Sequence, residues 1–296
     1  MNHRNDKGEK RKMDWNWIYK TEKDVLETKE KHGVPYLSFR PLEETGLVAQ
    51  GFSTRMGGAS KGKFATMNFS YSRGDRPEDV LENFTRMAQA LQVERDRMVV
   101  SYQTHTVNVR LVTEEDAGKG VVRDRDYTDV DGLITNVPGL TLVTFYADCV
   151  PLYLLDPVKK AVGLSHSGWR GTVKRMGAVT VRAMEEAFGS RAEDLIACIG
   201  PSICRDCFEV GEEVAEELKA AFAPYYWKEL VTNGRKPGKY QADLWRANEI
   251  IFLESGLRKE NIHTTNICTM CNSDKLFSHR TVGEERGNLA AFLGLN

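Results

Sequence analysis

The sequence predicts an α+β fold in which helices cover mixed β-sheets. One long segment, residues 75–91, carries apolar side chains at helical spacing and has a proline near its first turn. A later segment, from Val99 to Ser165, is instead dense in short apolar and β-branched runs of the kind that form buried strands. The predicted helices do not alternate strictly with these strands, and this order favours an α+β arrangement over a doubly wound parallel sheet.

The individual elements follow from the same two periodicities. The first helix is predicted because Val80, Phe84, Met87 and Leu91 fall on one face of a helix over residues 75–91. Apolar runs predict buried strands at 107–111, 140–146, 151–155 and 161–165. Further helices are predicted at about 172–188, 212–222 and 242–255, and further strands at 195–199, 262–268 and 289–293.

The N-terminal segment differs in composition from the rest of the chain. Residues 1–14 are rich in Arg and Lys and carry no apolar run, so they predict a disordered basic tail with no visible secretory signal. No long Pro/Gly/Ser linker and no repeat divides the remainder, so residues 15–296 are predicted to form a single catalytic domain. We therefore expect a cytoplasmic location.

Composition and charge exclude several classes of function. The 296 residues include 41 Lys and Arg against 42 Asp and Glu, so the broad positive field of a dedicated nucleic-acid binder is missing. The longest apolar runs, 140–147 and 150–155, are far shorter than the roughly 20 residues that span a bilayer. We expect a small-molecule substrate, no nucleic-acid partner and no membrane association. The six cysteines should be reduced and therefore free to bind a metal or act as nucleophiles.

Three potential metal ligands, His105, Cys149 and His166, stand at the ends of predicted strands. Two imidazoles and a thiolate can bind tetrahedral Zn²⁺ and leave a fourth position open, as in catalytic zinc sites, where bound water has a pKa near 7. Asp148, beside Cys149, is predicted to carry protons. The alternative is that both histidines are ordinary hydrogen-bonded side chains and that Cys149 is a small buried apolar residue.

Two glycine-rich loops beside arginines, residues 53–60 and 166–172, are predicted to bind anions. The residues expected to contact substrate or phosphate are Arg55, Gly57, Gly58, Arg170 and Gly171. Neither loop fits the patterns that bind nucleoside triphosphates or dinucleotides. Simple turns explain both loops equally well.

Two C-x-x-C pairs, Cys204 with Cys207 and Cys268 with Cys271, suggest a four-cysteine structural zinc site. The long gap between the pairs argues against a compact zinc ribbon. A redox function is weaker still, because neither pair opens a helix in the manner of thioredoxin.

Eight short segments occur in an order that resembles the YlmD/YfiH family, also described as multicopper polyphenol oxidoreductases, laccase-domain proteins and purine nucleoside phosphorylases. The resemblance covers about residues 47–295, and its most specific blocks are Ala-Asp-Cys and His-Ser-Gly-Trp-Arg-Gly. The segments are Ser53–Ser60, Tyr102–His105, Asp131–Thr135, Ala147–Pro151, His166–Gly171, Gly200–Ile203 with Cys207–Gly211, Ala242–Trp245 and Phe277–Arg280.

The resemblance implies an αββα layered fold and a surface site in which two histidines and a cysteine bind zinc or copper. Matched by position, these ligands are His105, Cys149 and His166. It also implies phosphorolysis of adenosine, inosine and methylthioadenosine to a free base and ribose 1-phosphate, and deamination of adenosine to inosine. The expected partners are purine nucleosides and phosphate, and the protein is expected to be a monomer or a homodimer.

The chain departs from the family at two positions that concern function. Where the family usually has Thr-Gly-Arg, this chain has Arg286-Gly-Asn288, so the anion contact of that arginine is either lost or supplied by Arg286. Cys204 stands where glycine is common in the family. Three alternatives stay open: a thiol hydrolase built on Cys149 and a histidine, a copper-dependent polyphenol oxidase, and a non-catalytic metal-binding module. The oxidase is the weakest, because six histidines without a His-x-His pair are too few for a multicopper centre.

Overall fold

The computed structural model describes residues 15–22 and 24–296, so the predicted tail at 1–14 lies outside the described residues. The strands are β1 (Leu26–Lys31), β2 (Val34–Phe39), β3 (Val48–Ser53), β4 (Met98–Val100), β5 (Val109–Leu111), β6 (Gly132–Thr135), β7 (Thr141–Tyr146), β8 (Val150–Asp156), β9 (Ala161–Ser167), β10 (Ile196–Ile199), β11 (Glu209–Gly211), β12 (Val231–Asn233), β13 (Lys239–Ala242), β14 (Ile262–Thr264) and β15 (Leu289–Leu295). The helices are α1 (Arg40–Glu43), α2 (Pro77–Leu91), α3 (Trp169–Val173), α4 (Met176–Phe188), α5 (Glu212–Ala221), α6 (Trp227–Leu230), α7 (Leu244–Glu254) and α8 (His279–Val282).

Two six-stranded mixed sheets form the centre of the protein. The first has the order β1-β2-β3-β15-β7-β4 and is antiparallel except where β4 pairs with β7. The second has the order β14-β10-β8-β9-β6-β5, with parallel pairs at both edges. A small antiparallel sheet, β11-β13-β12, forms no strand pairing with either and packs into the apolar core on the second sheet. The mixed sheets confirm the predicted α+β class.

The elements stack in four layers. Between the sheets lies an apolar layer in which Phe39 of β2 meets Tyr153 of β8 edge-on, with ring centroids 5.3 Å apart. Helix α2 covers the outer face of the first sheet, where Phe84 and Met87 are fully buried. Helices α4 and α7 cover the outer face of the second sheet. Burial of these apolar faces on both sides of each sheet is the main force that holds the layers together.

Helix α2 confirms the helix predicted at 75–91. Pro77 occupies its first turn, where the missing N–H has no partner to lose, and Glu78 and Asp79 face the positive end of the helix dipole. The helix ends at Gln92, which adopts a left-handed backbone conformation (φ 60°).

The structure corrects the predicted elements in three places. The helix predicted at 172–188 is two helices, because Arg175 takes a left-handed conformation (φ 63°) between α3 and α4. The strand predicted at 262–268 stops at Thr264. The sequence pattern predicts no strand before residue 75, yet β1 to β3 lie there. β1 is hard to detect because it is a highly charged edge strand, and exposed edges favour such residues.

Among the described residues, no helix has both the length and the apolar character needed to cross a bilayer.

Candidate active site

A loop, a turn and a strand end bring His105, Cys149 and His166 together. His105 lies in the loop between β4 and β5, Cys149 in the turn between β7 and β8, and His166 near the end of β9. The side-chain ligand atoms of all three residues lie within 4.8 Å of one another. His166 is buried, Cys149 is half-buried and His105 is exposed, so the cluster opens to solvent on the His105 side.

Asp131, which precedes β6, holds the His105 loop in place. Its buried carboxylate accepts hydrogen bonds from the backbone N–H groups of Thr104, His105 and Thr106, at 2.9–3.1 Å. Gln103 adds a second anchor, because its side-chain amide donates to the carbonyl of Phe145 and accepts from the N–H of the same residue. These bonds fix a loop in which His105 has a positive φ of 63°, a conformation that costs energy for a residue with a side chain.

Asp131 also orients His166. The Nδ1 atom of His166 donates to the Asp131 carboxylate at 2.8 Å, so Nε2 is left to face the cluster. Burial raises the pKa of Asp131, but its hydrogen bond to His166, the charge of His166 and the backbone N–H groups outweigh burial and lower the pKa to about 2. The carboxylate is therefore ionised at neutral pH.

Cys149 and His166 form a charge pair in the absence of metal. Burial raises the pKa of the Cys149 thiol, but the charge of His166 and hydrogen bonds from both histidines lower the pKa to about 6. Burial lowers the pKa of His166, whereas the charge of Cys149 and the bond to Asp131 raise the pKa to about 9. At pH 7 the pair is therefore mainly thiolate and imidazolium.

The cluster fits a zinc ion by its donor set and by its surroundings. A thiolate and two imidazoles suit Zn²⁺, and the carboxylate behind His166 is the partner that zinc-bound histidines commonly have. Gly168 leaves room beside the cluster, because a Cβ there would lie 3.0 Å from Cys149 Sγ and 3.1 Å from His105 Cδ2. Three protein ligands leave one position of a tetrahedral ion to water or substrate.

The three residues line one part of a cavity of about 730 Å³, large enough for a nucleoside-sized molecule. Its other lining residues are mostly polar or aromatic: Lys63, Ser70, Tyr71, Ser72, Arg73, Val100, Ser101, Tyr102, Gln103, Gly120, Arg125, Phe145, Tyr146, Ala147, Glu284, Glu285, Arg286 and Asn288.

Two of the cavity's cations have no carboxylate partner within ion-pair distance among the described residues. Arg286 is buried and donates to Gly287 O and Asn288 Oδ1. Arg125 is half-buried, donates to Ser101 O at 2.5 Å and stacks on Tyr102. Burial lowers the pKa of Arg286 to about 10 and lowers that of Arg125, yet both remain charged at pH 7. Both cations can therefore bind an anion from solution.

The glycine loop at 53–60 does not reach this cavity. Arg55 donates to the carbonyl groups of Ala65 and Ser273 and lies over the ring of Phe277. A Cβ on Gly57 or Gly58 would lie 2.6 Å or less from a backbone carbonyl oxygen, so these glycines allow close backbone packing.

The other predicted residues also lie outside the cavity lining. Arg170 is exposed and stacks on Trp169, while Gly171 is buried within α3. The Asp148 carboxylate accepts from Thr269 Oγ1 at 2.6 Å and from the N–H of Arg280 at 2.7 Å. These bonds hold the turn that carries Cys149, in which Asp148 has a φ of 87°.

Sequence reasoning on its own did not find Arg125, and it reached Arg286 only through the family comparison. Arg125 lies in a charged stretch, residues 123–126, that resembles any exposed loop. The departure from Thr-Gly-Arg was the one signal for Arg286, and the structure places that residue in the cavity.

Residues 49–296 match the family described as multi-copper polyphenol oxidoreductase laccase, a class of laccase-domain proteins. The chain belongs to this family.

The similar proteins carry names from purine metabolism. Purine nucleoside phosphorylase YlmD of Bacillus subtilis is 35% identical over 252 residues, which cover 84% of this chain and 88% of the relative. Adenosine deaminase RL5, from an unknown prokaryotic organism, is 32% identical over 80% of this chain and 90% of its own length. The crystal structure of YlmD from Geobacillus stearothermophilus superimposes with a TM-score of 0.84, at 32% identity, over 93% of this chain and 100% of that chain. Relatives of this family are thus named as enzymes that act on purine nucleosides.

Proposed function

We propose that this protein is a purine nucleoside phosphorylase that converts adenosine, inosine or methylthioadenosine and phosphate to a free base and a ribose 1-phosphate. The observation that carries the proposal is a single cavity that contains both the His–Cys–His cluster and two arginines without carboxylate partners. The name of the Bacillus subtilis relative supports the same reaction.

The cavity offers separate surfaces for the two substrates. Phosphate is assigned to Arg286 and Arg125, because a phosphate dianion binds best to cations that are partly shielded from water and are not neutralised by a carboxylate. Arg73 and Lys63 are weaker candidates, since Glu284 and Glu285 already pair with them. The purine is assigned to the aromatic side chains Tyr102 and Phe145, whose rings can stack on a base.

The reaction balances without a proton from outside. The bond between the ribose C1′ and the purine nitrogen breaks, and a phosphate oxygen forms the new bond to C1′. Hydrogen phosphate loses its proton in this step, and the departing base takes up one proton. Arg286 and Arg125 would hold the phosphate beside C1′, which lowers the entropic cost of bringing two substrates together.

His105, Cys149 and His166 are the residues that would hold a metal ion, and zinc is the ion that we propose. Zinc bound there would supply a Lewis acid for an oxygen or nitrogen atom of the substrate. Asp131 keeps both histidines in position, through Nδ1 of His166 and the backbone N–H of His105. Asp148 is reassigned from proton carrier to positioning residue, because both its oxygens already accept hydrogen bonds.

Copper-dependent polyphenol oxidation is less well supported. A multicopper centre needs several groups of histidines. Among the residues described here, His105, Cys149 and His166 form the one cluster of metal-ligating residues that contains histidine.

The test is incubation of adenosine with and without phosphate, followed by chromatography of the products. We expect adenine and ribose 1-phosphate only when phosphate is present, and no product with His105→Ala. Inosine formed equally in both incubations would instead identify a deaminase, the activity named for the RL5 relative. No conversion of adenosine, inosine or methylthioadenosine in either incubation would overturn the proposal.

One further candidate, a thiol hydrolase, has its own structural observation. Cys149, His166 and Asp131 lie in the order nucleophile, base and orienting carboxylate. Ester hydrolysis that persists after complete metal removal and is lost with Cys149→Ala would favour this activity over the metal-dependent one.

A further inference from the structure

The two C-x-x-C pairs lie close to each other and next to the turn that carries Cys149. Strands β10 and β14 are parallel neighbours, so the chain leaves both in the same direction. A further bridge joins Ser202 to Cys268, and the N–H of Thr269 donates to Ser202 O at 3.1 Å. This pairing aligns the segment 204–207 with the segment 268–271, although 60 residues of sequence separate them.

The four sulfur atoms form a compact group. The Sγ atoms of Cys204, Cys207, Cys268 and Cys271 all lie within 4.8 Å of one another, and Cys207 Sγ lies 3.5 Å from Cys271 Sγ. Four thiolates around one tetrahedral zinc, each at about 2.3 Å, are about 3.8 Å apart. A disulfide requires about 2.05 Å between its sulfurs. The observed arrangement is therefore much closer to a shared ion than to two disulfides.

Backbone hydrogen bonds to sulfur resemble those that support metal-bound thiolates. The N–H groups of Cys204 and Cys271 both point at Cys268 Sγ, at 3.3 and 3.5 Å. Such donors stabilise negative charge on sulfur. A cation also lies near the first cysteine pair. Lys20 Nζ is 2.6 Å from the carboxylate of Asp206, which stands between Cys204 and Cys207 in the sequence.

We propose that Cys204, Cys207, Cys268 and Cys271 bind one structural Zn²⁺, separate from the His–Cys–His cluster. Four protein ligands close the coordination sphere, as in structural zinc sites, so this ion would take no part in the reaction. Cys198 provides the contrast within the same chain. It is fully buried between the sheets and belongs to neither group of metal-ligating residues.

The proposed zinc would stabilise the turn that carries Asp148 and Cys149. The N–H of Ile203, next to Cys204, donates to Asp148 O at 3.0 Å. Thr269, next to Cys268, donates to the Asp148 carboxylate, which also accepts from the N–H of Arg280. An ion that ties the two cysteine segments together therefore fixes two of the three groups that hold Asp148, those of Ile203 and Thr269.

The main experiment measures zinc per chain by mass spectrometry of metals in the purified full-length protein. Cys204→Ser and Cys271→Ser should each lower the zinc content by one ion per chain, whereas the control Cys198→Ala should not change it. The difference between wild type and variant is the decisive quantity, so the result does not depend on whether the His–Cys–His cluster holds zinc. An unchanged zinc content in folded Cys204→Ser, or iron in place of zinc, would overturn the proposal.

A second measurement uses the wild-type protein and so covers the case in which the serine variants fail to fold. X-ray absorption at the zinc edge counts the sulfur ligands per zinc. Zinc in the four-cysteine site alone gives four sulfurs, and zinc in both sites gives an average between one and four. An average of one sulfur per zinc, or two disulfides in protein purified under reducing conditions, would refute the assignment. Both readouts measure zinc and its sulfur ligands, so they stay valid even if the protein shows no phosphorolysis of nucleosides.

Discussion

The two clusters of metal-ligating residues differ in exposure and in ligand number. The His–Cys–His cluster has three ligands, includes the exposed His105 and opens into a cavity of about 730 Å³. The Cys₄ cluster has four ligands, and two of them, Cys204 and Cys268, are at most 3% exposed. An ion with an open coordination position beside a cavity can meet a substrate, whereas an ion enclosed by four thiolates can only hold the chain together. The comparison predicts that one cluster governs activity and the other stability.

Substitution of one cysteine in each cluster gives the largest expected difference. Cys149→Ala should lower kcat/KM for phosphorolysis by about 10³-fold, because the metal's contribution of several kcal/mol is lost. Its melting temperature should fall less than that of a Cys₄ variant, because the His–Cys–His cluster holds its ion by three ligands, one of them exposed. Cys204→Ser should instead lower the melting temperature by about 5–10 °C, as expected when a bound metal stops stabilising the folded state.

Steady-state kinetics and thermal unfolding of both variants check this prediction, with Cys198→Ala as the matched control. Equal melting temperatures of Cys204→Ser and wild type, together with equal zinc contents, would remove the distinction between the clusters.

The next largest effect is expected from the arginines that line the cavity beside the His–Cys–His cluster. Arg286→Gln should raise KM for phosphate by about 10- to 100-fold, because a charged hydrogen bond contributes about 1.5–3 kcal/mol. Arg170→Gln is the matched control, since this exposed arginine stacks on Trp169 outside the cavity lining. Initial rates at varied phosphate concentration decide between them. A large increase in KM for Arg170→Gln and none for Arg286→Gln would instead assign phosphate to the glycine-rich loop at 166–172.

Much of the fold could be predicted because burial imposes a clear pattern on the chain. The strands β7, β8 and β9 are apolar along nearly their whole length, since both of their faces are covered. The split between α3 and α4 could not be predicted, because Arg175 adopts a left-handed conformation that glycine or asparagine usually signals. Strand β1 could not be predicted either, because the charged sequence of this edge strand resembles that of an exposed loop.

The candidate site was predictable in its ligands and much less so in its anion contacts. His105, Cys149 and His166 stand at predicted strand ends, but ordinary hydrogen-bonded histidines and a small buried cysteine fitted these positions too, and the family resemblance decided for a shared cluster. Arginines are common, and only the three-dimensional structure shows which of them line a cavity. Arg55 and Arg170 stand in more conspicuous loops than Arg125, yet they pack against Phe277 and Trp169 outside the cavity lining.

The smallest predicted effect concerns the titration of Cys149 in metal-free protein. The thiolate is the form that iodoacetamide alkylates, and the Cys149 pKa of about 6 means that thiolate accumulates as the pH rises through 6. The alkylation rate of Cys149 should therefore approach its plateau by pH 7, well below the range for an ordinary thiol. Peptide mass spectrometry at a series of pH values resolves Cys149 from the other cysteines.

Asp131→Asn tests the cause of this titration. Without the carboxylate, His166 holds its proton less strongly, so the Cys149 thiolate loses its neighbouring positive charge and the pKa of Cys149 should rise. Asparagine keeps the shape of the side chain and one acceptor oxygen, but it places an NH₂ donor where the second carboxylate oxygen accepted, so one pair of these hydrogen bonds is lost together with the charge. The same alkylation series measures the shift. An unchanged profile would mean that Asp131 orients His166 without setting its charge, and the open cluster's electrostatics would then arise from the Cys149 and His166 pair alone.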